Sequence, residues 1–190
     1  MVLLIDRAVF LISGIPAAGK STVSHLLARR FDRGVHIDAD VLRGMIVSGN
    51  AWASQEPPVN PLAEPGLKEE AERQLRLRAK NAALLADSYF AAGFTVVLDE
   101  IAIGERLQDF RDDIQSRPLL LVNLAPRLDV VRERDAGRSG KNVFEVWAYL
   151  DGVMRETMRD AGLWLDTSEM TPEQVVDEIV RRAWDEGRVA

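Results

Sequence analysis

The residues most able to do chemistry come first in the chain. Gly14, Ile15, Pro16, Ala17, Ala18, Gly19, Lys20 and Ser21 match G-x-x-x-x-G-K-[ST], directly after an apolar run and before a helical pattern. Glycines at both ends let the backbone turn so that successive N–H groups face inward as an anion nest. The positive end of a helix beginning at Lys20 adds to that field, with Thr22 in its first turn. Lys20 would reach the β- and γ-phosphates of a nucleotide, and the Ser21 hydroxyl would coordinate magnesium. The cofactors expected are therefore ATP and Mg2+.

Acidic residues follow at two places where apolar runs end. Asp38 and Asp40 come just after the second run, and Asp99 and Glu100 at the end of the third. Ligands of open parallel sheets sit beyond the carboxyl ends of the strands, so all four should lie near the phosphate loop. Asp99, after four apolar residues, reads as a Walker B carboxylate holding magnesium directly or through water. Transfer of a phosphoryl group to an alcohol needs a carboxylate that orients the hydroxyl and takes its proton. Asp38 or Asp40 could serve, with Arg43 on the same helical face as Asp40 to hold an acceptor or a phosphate. Residue types alone equally allow an Asp that caps a helix and an i+3 ion pair.

Arginines complete the set. Arg78 falls in the middle of an apolar helical stripe, so it needs a core acid or an acceptor ligand as partner. Arg134 and Arg138 lie one turn apart if their segment is helical, and could clamp the transferring phosphoryl while Arg132 points elsewhere. Gly137 offers a hinge between them. Trp52 either anchors its own loop or stacks on a flat acceptor.

The elements that must carry these groups alternate between strand-length apolar runs and longer helical patterns, which predicts a parallel sheet covered by helices. Runs at 8–13, 35–38, 94–99, 119–124 and 163–166 are the expected strands, buried on both sides. Helices are expected over 20–31, from Asp40, over 67–92 with Ala71, Leu75, Ala82, Leu85 and Tyr89 inward, and over 172–186 with Thr171 as N-cap. The whole of 1–190 reads as a single domain, with 48–66 an irregular acceptor-side loop and 132–141 an arginine-rich lid that looks mobile.

The bulk properties bound the function. The 190 residues are 47% hydrophobic and 28% charged, with a net charge of −6. Nucleic-acid-gripping domains are usually basic, so no nucleic-acid partner is expected. Cysteine is absent, which excludes disulfides and thiolate chemistry. An acid and a base at Asp6 and Arg7 come too early for a signal peptide, and no apolar run approaches a membrane span, so a cytoplasmic protein without a membrane partner is expected. A homodimer stays open. There is no N-K-x-D guanine-reading motif, which a GTP switch would carry.

Taken with the Asp38-x-Asp40-x-x-Arg43 acids and the Arg134/Arg138 pair, the phosphate loop gives a chain that resembles P-loop kinases of small substrates. It is most similar to the chloramphenicol phosphotransferase-like group, itself similar to zeta toxins and tunicamycin-resistance-type proteins. The resemblance implies a three-layer P-loop NTPase fold of kinase type, with five parallel strands in the order 2-3-1-4-5. It implies Asp40 rather than Asp38 as the base, Arg134 and Arg138 as lid arginines, and a small-molecule hydroxyl as acceptor. An antibiotic, a nucleotide sugar or a nucleoside fits that description. A nucleoside or nucleotide kinase and a regulatory NTPase are the alternatives.

Overall fold

The computed structural model of the chain describes residues 7–52, 60, 62–64, 66–137 and 143–190. Five runs rich in β-branched and leucine residues form β1 (Val9–Ser13), β2 (Gly34–Asp38), β3 (Thr95–Asp99), β4 (Leu119–Leu124) and β5 (Leu163–Leu165). They make one parallel sheet in the order β2-β3-β1-β4-β5, the order the resemblance implies. Every residue of β1, β3 and β4 is buried, so both faces of the centre are covered. Each such Leu or Val stabilises the fold by roughly 1.5–3 kcal/mol relative to exposure. The edges differ from expectation. In β2 only Ile37 is buried, because an edge strand has a neighbour on one side alone.

The covering helices are α1 (Lys20–Ala28), α2 (Ala39–Gly44), α3 (Lys68–Ala91), α4 (Glu105–Asp113), α5 (Leu128–Ala136), α6 (Phe144–Trp147), α7 (Tyr149–Thr157) and α8 (Pro172–Glu186). Helix α1 packs beside α8, and α3 beside α4. Phe10 of β1 meets Phe31 at 5.7 Å and, edge-on, Trp184 of α8 at 6.4 Å. Helix α1 stops three residues short of the expected end, because Gly34 must pass against it: a Cβ there would lie 1.8 Å from the Ala28 carbonyl. Helix α8 begins with the expected cap, as Thr171 accepts from the Gln174 N–H while the Gln174 side chain accepts from the Thr171 N–H.

Helix α3 corrects the predicted apolar face. Its buried residues are Ala71, Gln74, Leu75, Ala79, Ala82, Ala83 and Ala86, whereas Leu85 and Tyr89 are 37% and 39% exposed. Alanines at i, i+3, i+4 and i+7 let the helix approach the sheet closely and turn the larger side chains to the flank. Tyr89 packs edge-on against Phe94 instead.

Of the arginine-rich segment at 132–141 the structure describes residues 132–137. Residues 132–136 belong to α5, and Gly137 keeps ordinary right-handed backbone as its C-cap. Asp135 is almost wholly buried, and one of its oxygens accepts from the N–H groups of Val143 and Phe144 at 2.7 and 2.8 Å. A buried carboxylate thus joins the end of α5 to the start of α6.

Candidate active site

The phosphate loop runs from the end of β1 into α1. Gly14 cannot be replaced without a collision, since a Cβ would meet the Leu124 carbonyl at 2.7 Å. Gly19 caps α1 with φ +100°, the left-handed region that favours glycine. Between them Ala17 also has positive φ, at +65°, a conformation that costs about 1–3 kcal/mol and tends to mark functional loops. No side chain caps α1, and its first turn holds no acid, so its N–H groups face outward for an anion. The Lys20 ammonium donates to the Ile15 carbonyl at 3.1 Å, arching over the loop. Ser21 and Thr22 are exposed at the same end.

The parallel register brings the acids to this edge. Asp99 lies level with Asp38 on one side and Ile12 on the other, so both acids sit where β1 gives way to the loop. Asp99 is buried, and His36 Nε2 lies 2.8 Å from its carboxylate. The His36 ring is in turn edge-on to His25 of α1 at 6.2 Å. Among the described residues no group of three or more His or acidic side chains forms a metal cage. Ser21 and Asp99 are the donors expected for Mg2+, an ion that takes most of its ligands from water and substrate phosphates.

Asp38 and Asp40 separate in role. The Asp38 carboxylate accepts from the Asp40 N–H at 2.8 Å and caps α2. Asp40 projects its carboxylate outward, 63% exposed, 3.5 Å from Arg78 Nη1 and 3.9 Å from Arg43 Nη2. Arg78 finds the core acid that its position on the stripe called for, with Asp40 at its outer end. Its side chain is only 10% exposed, and its Nη2 donates to Glu100 at 2.6 Å. The Glu100 carboxylate is 7% exposed and also accepts from the Ile101 N–H at 2.7 Å. Burial pushes the Glu100 carboxyl up, with Arg78 and the Ile101 N–H pulling it back, and with Asp40 and Lys20 both in its field. Sequence reading placed Glu100 at the strand end without giving it a partner.

A cleft of about 120 Å³ opens between α2 and α3, lined by Leu42, Arg43, Ile46, Trp52, Leu75 and Arg78 among others. Trp52 donates its indole N–H to the Ala71 carbonyl and lies 6.0 Å from the Trp147 ring, which stacks on Tyr149. It therefore anchors its loop and walls the cleft at once. Gln74 holds that loop, accepting from the Ala51 N–H and donating to the Gly49 carbonyl, and its amide also donates to Glu70.

On the other side of the phosphate loop, Arg134 donates to the Ala18 carbonyl at 3.2 Å and the Thr167 carbonyl at 2.9 Å. Arg132 does point elsewhere, over the Phe144 ring and toward Glu145. Arg138 lies outside the described residues. Ser168 accepts from the Arg127 N–H, and Asp166 accepts from Ser168 at 3.0 Å, so the end of β5 is tied to the start of α5 beside the loop.

One site residue had no signal in the motifs: His36 is the polar residue of an apolar strand, visible only as an interruption.

Solved structures that share this fold include several kinases. A sugar kinase from Janibacter sp. HTCC2649 aligns over 95% of both chains with TM-score 0.69 and 17% identity. Shikimate kinase from Acinetobacter baumannii, solved with shikimate, aligns over 93% of this chain and 92% of its own at TM-score 0.59 and 19% identity. The tunicamycin resistance protein of Deinococcus radiodurans aligns over 93% and 95% at TM-score 0.58 and 18% identity. No curated protein sequence matches the chain. No helix among the described residues is long and apolar enough to cross a membrane. The sequence model of the AAA domain matches residues 9–157, from β1 through α7 and most of the chain, and the protein is a member of that family with a P-loop kinase-like fold.

Proposed function

We propose that the chain transfers the γ-phosphate of ATP to a hydroxyl group of a small molecule in the cytoplasm. One observation carries this reading: Glu100, whose N–H donates to the Ile12 carbonyl at 3.1 Å just before the phosphate loop, accepts from Arg78 at 2.6 Å, and Arg78 reaches on to Asp40 at 3.5 Å. Donor loop and acceptor acid thus meet at one buried residue. In this mechanism the N–H groups of 14–22 and the Lys20 ammonium hold the phosphates. Mg2+, held by Ser21 and by Asp99 directly or through water, would neutralise charge on the β- and γ-oxygens. The acceptor lies in the α2–α3 cleft against Arg43 and Arg78. Asp40 orients its hydroxyl and takes the proton as the oxygen bonds to phosphorus and ADP departs. Arg134, with Arg138, offsets charge on the transferring group from the lid side.

The acceptors proposed are an antibiotic, a nucleotide sugar or a similar hydroxyl compound. The acidic surface favours no nucleic-acid partner. The test is ADP release from Mg-ATP across amphenicols, nucleosides, nucleotide sugars and aminoglycosides, with Lys20→Ala and Asp40→Ala beside the wild type. Stimulation by one class, lost in both variants, is expected. Basal hydrolysis that no acceptor raises and Asp40→Ala leaves unchanged would instead mark a regulatory NTPase.

A further inference from the structure

The cleft between α2 and α3 sorts its lining by polarity. Leu42, Met45, Ile46, Trp52, Leu75 and Leu77 give it apolar walls. Its two cations, Arg43 and Arg78, lean to one point. Arg43 Nη2 lies 3.9 Å and Arg78 Nη1 3.5 Å from the Asp40 carboxylate. The end beside Asp40 is therefore charged, and the walls beyond it are hydrocarbon, thioether and indole.

The polar groups that could read hydroxyls along those walls are already engaged. The Gln74 amide accepts from the Ala51 N–H and donates to the Gly49 carbonyl and to Glu70. The Trp52 indole N–H is committed to the Ala71 carbonyl at 3.1 Å, so Trp52 meets a ligand through its ring carbons. Asn81, also in the lining, is exposed to solvent. A hydroxyl-rich body entering here would give up water without regaining its hydrogen bonds, which costs free energy for each group. An apolar body gains instead from every wall it covers. Met45 and Leu77 are 67% and 51% exposed although both are large and apolar. Such side chains gathered round a concave site mark a ligand-binding surface.

We propose that the acceptor is a hydroxy compound with an apolar body, whose ring or short chain lies against Met45, Trp52 and Leu77 while its hydroxyl stands at the Asp40 end. This rests on the reading of the chain as a small-molecule kinase, and it selects apolar rings over sugars and aminoglycosides. An apolar cavity of about 150 Å³ takes a benzene ring, so the cleft of about 120 Å³ admits most of one six-membered ring. The hydroxyl oxygen bonds to the γ-phosphorus and its proton passes to Asp40. The bond from that phosphorus to the β,γ-bridging oxygen breaks as ADP leaves. Met45, Trp52 and Leu77 meet the body and not the reacting oxygen, so they act on the acceptor KM.

The experiment compares three acceptors on the full chain with Mg-ATP, each a hydroxymethyl group on a six-membered ring: cyclohexylmethanol, tetrahydropyran-2-methanol and glucose. Phosphorylated product gives kcat and KM, and saturation-transfer NMR reads binding apart from transfer. The expected result is a kcat/KM that falls by about 10- to 100-fold from cyclohexylmethanol to glucose. Met45→Gln combined with Leu77→Gln then raises the KM for cyclohexylmethanol by about 3- to 10-fold, with the KM for ATP unchanged. Both side chains are exposed, so the double variant is expected to keep the wild-type Tm. Glucose used as well as cyclohexylmethanol, or a preference indifferent to the double variant, overturns the apolar acceptor and leaves hydroxyl transfer standing. Neither binding nor transfer of cyclohexylmethanol overturns the apolar acceptor alone. Binding of cyclohexylmethanol without transfer to any of the three overturns the kinase reading, and the acceptor role with it.

Discussion

Arg78 of α3 and Glu100 beyond β3 stand with Nε and Oε2 2.6 Å apart, both nearly excluded from solvent, and Arg78 reaches on toward Asp40 at 3.5 Å. The pair is the wall between core and cleft. Two charges removed from water are held only because each has the other, so removing one should cost far more than removing both. Glu100→Ala is expected to destabilise the fold by about 3–5 kcal/mol, and Arg78→Met with Glu100→Leu by clearly less. Urea unfolding of the single and double variants measures the difference. Equal losses would mean the two side chains do not depend on each other.

Asp38 and Asp40 should separate in the same kind of measurement. Asp38 caps α2, so Asp38→Ala is expected to cost about 0.5–2 kcal/mol of stability. Asp40 is outward and makes only long contacts, so Asp40→Asn should leave stability within about 0.5 kcal/mol. Its turnover should fall by about 10²–10⁴-fold while Mg-ATP still binds. Steady-state kinetics beside thermal unfolding decides this, and a normal rate in Asp40→Asn would remove it as the base.

At Gly19 a side chain meets backbone conformation and not space. With φ +100°, alanine there is expected to strain the loop by roughly 1–3 kcal/mol and turn the N–H groups out of the nest. Calorimetric titration with Mg-ATP should show binding weakened or lost while the far-ultraviolet circular dichroism stays native.

Magnesium dependence tests Asp99. Chelation with EDTA should abolish ADP release. Asp99→Asn should raise the Mg2+ concentration for half-maximal activity by about 10- to 100-fold, the range found when a ligand or its supporting contact is removed. An unchanged requirement would leave Asp99 as the partner of His36 alone.

Asp135 should prove structural. One of its oxygens accepts two N–H donors across the segment between α5 and α6, so Asp135→Ala is expected to cost roughly 2–4 kcal/mol. If Arg134 depends on that anchor, turnover should fall too, and comparison with Arg134→Ala separates the two contributions.

The phosphate loop, five strands and the closing helix with its Thr171 cap were legible in the chain because each is a local pattern. Glycines at set spacing make a nest, and apolar runs of strand length make buried strands, whatever lies elsewhere. Pairing across the sequence was not legible. His36 meets Asp99 across 63 residues, and Arg78 meets Glu100 across 22, only because β2, β3 and α3 come together at one edge of the sheet. The inward face of α3 likewise depended on how closely its alanines approach the sheet, which displaced Leu85 and Tyr89 to the flank. The residue types announced phosphate chemistry. The tertiary structure decided which acid caps a helix, which projects outward, and which arginine is buried against an acid, because those outcomes depend on burial and on neighbours distant in the chain.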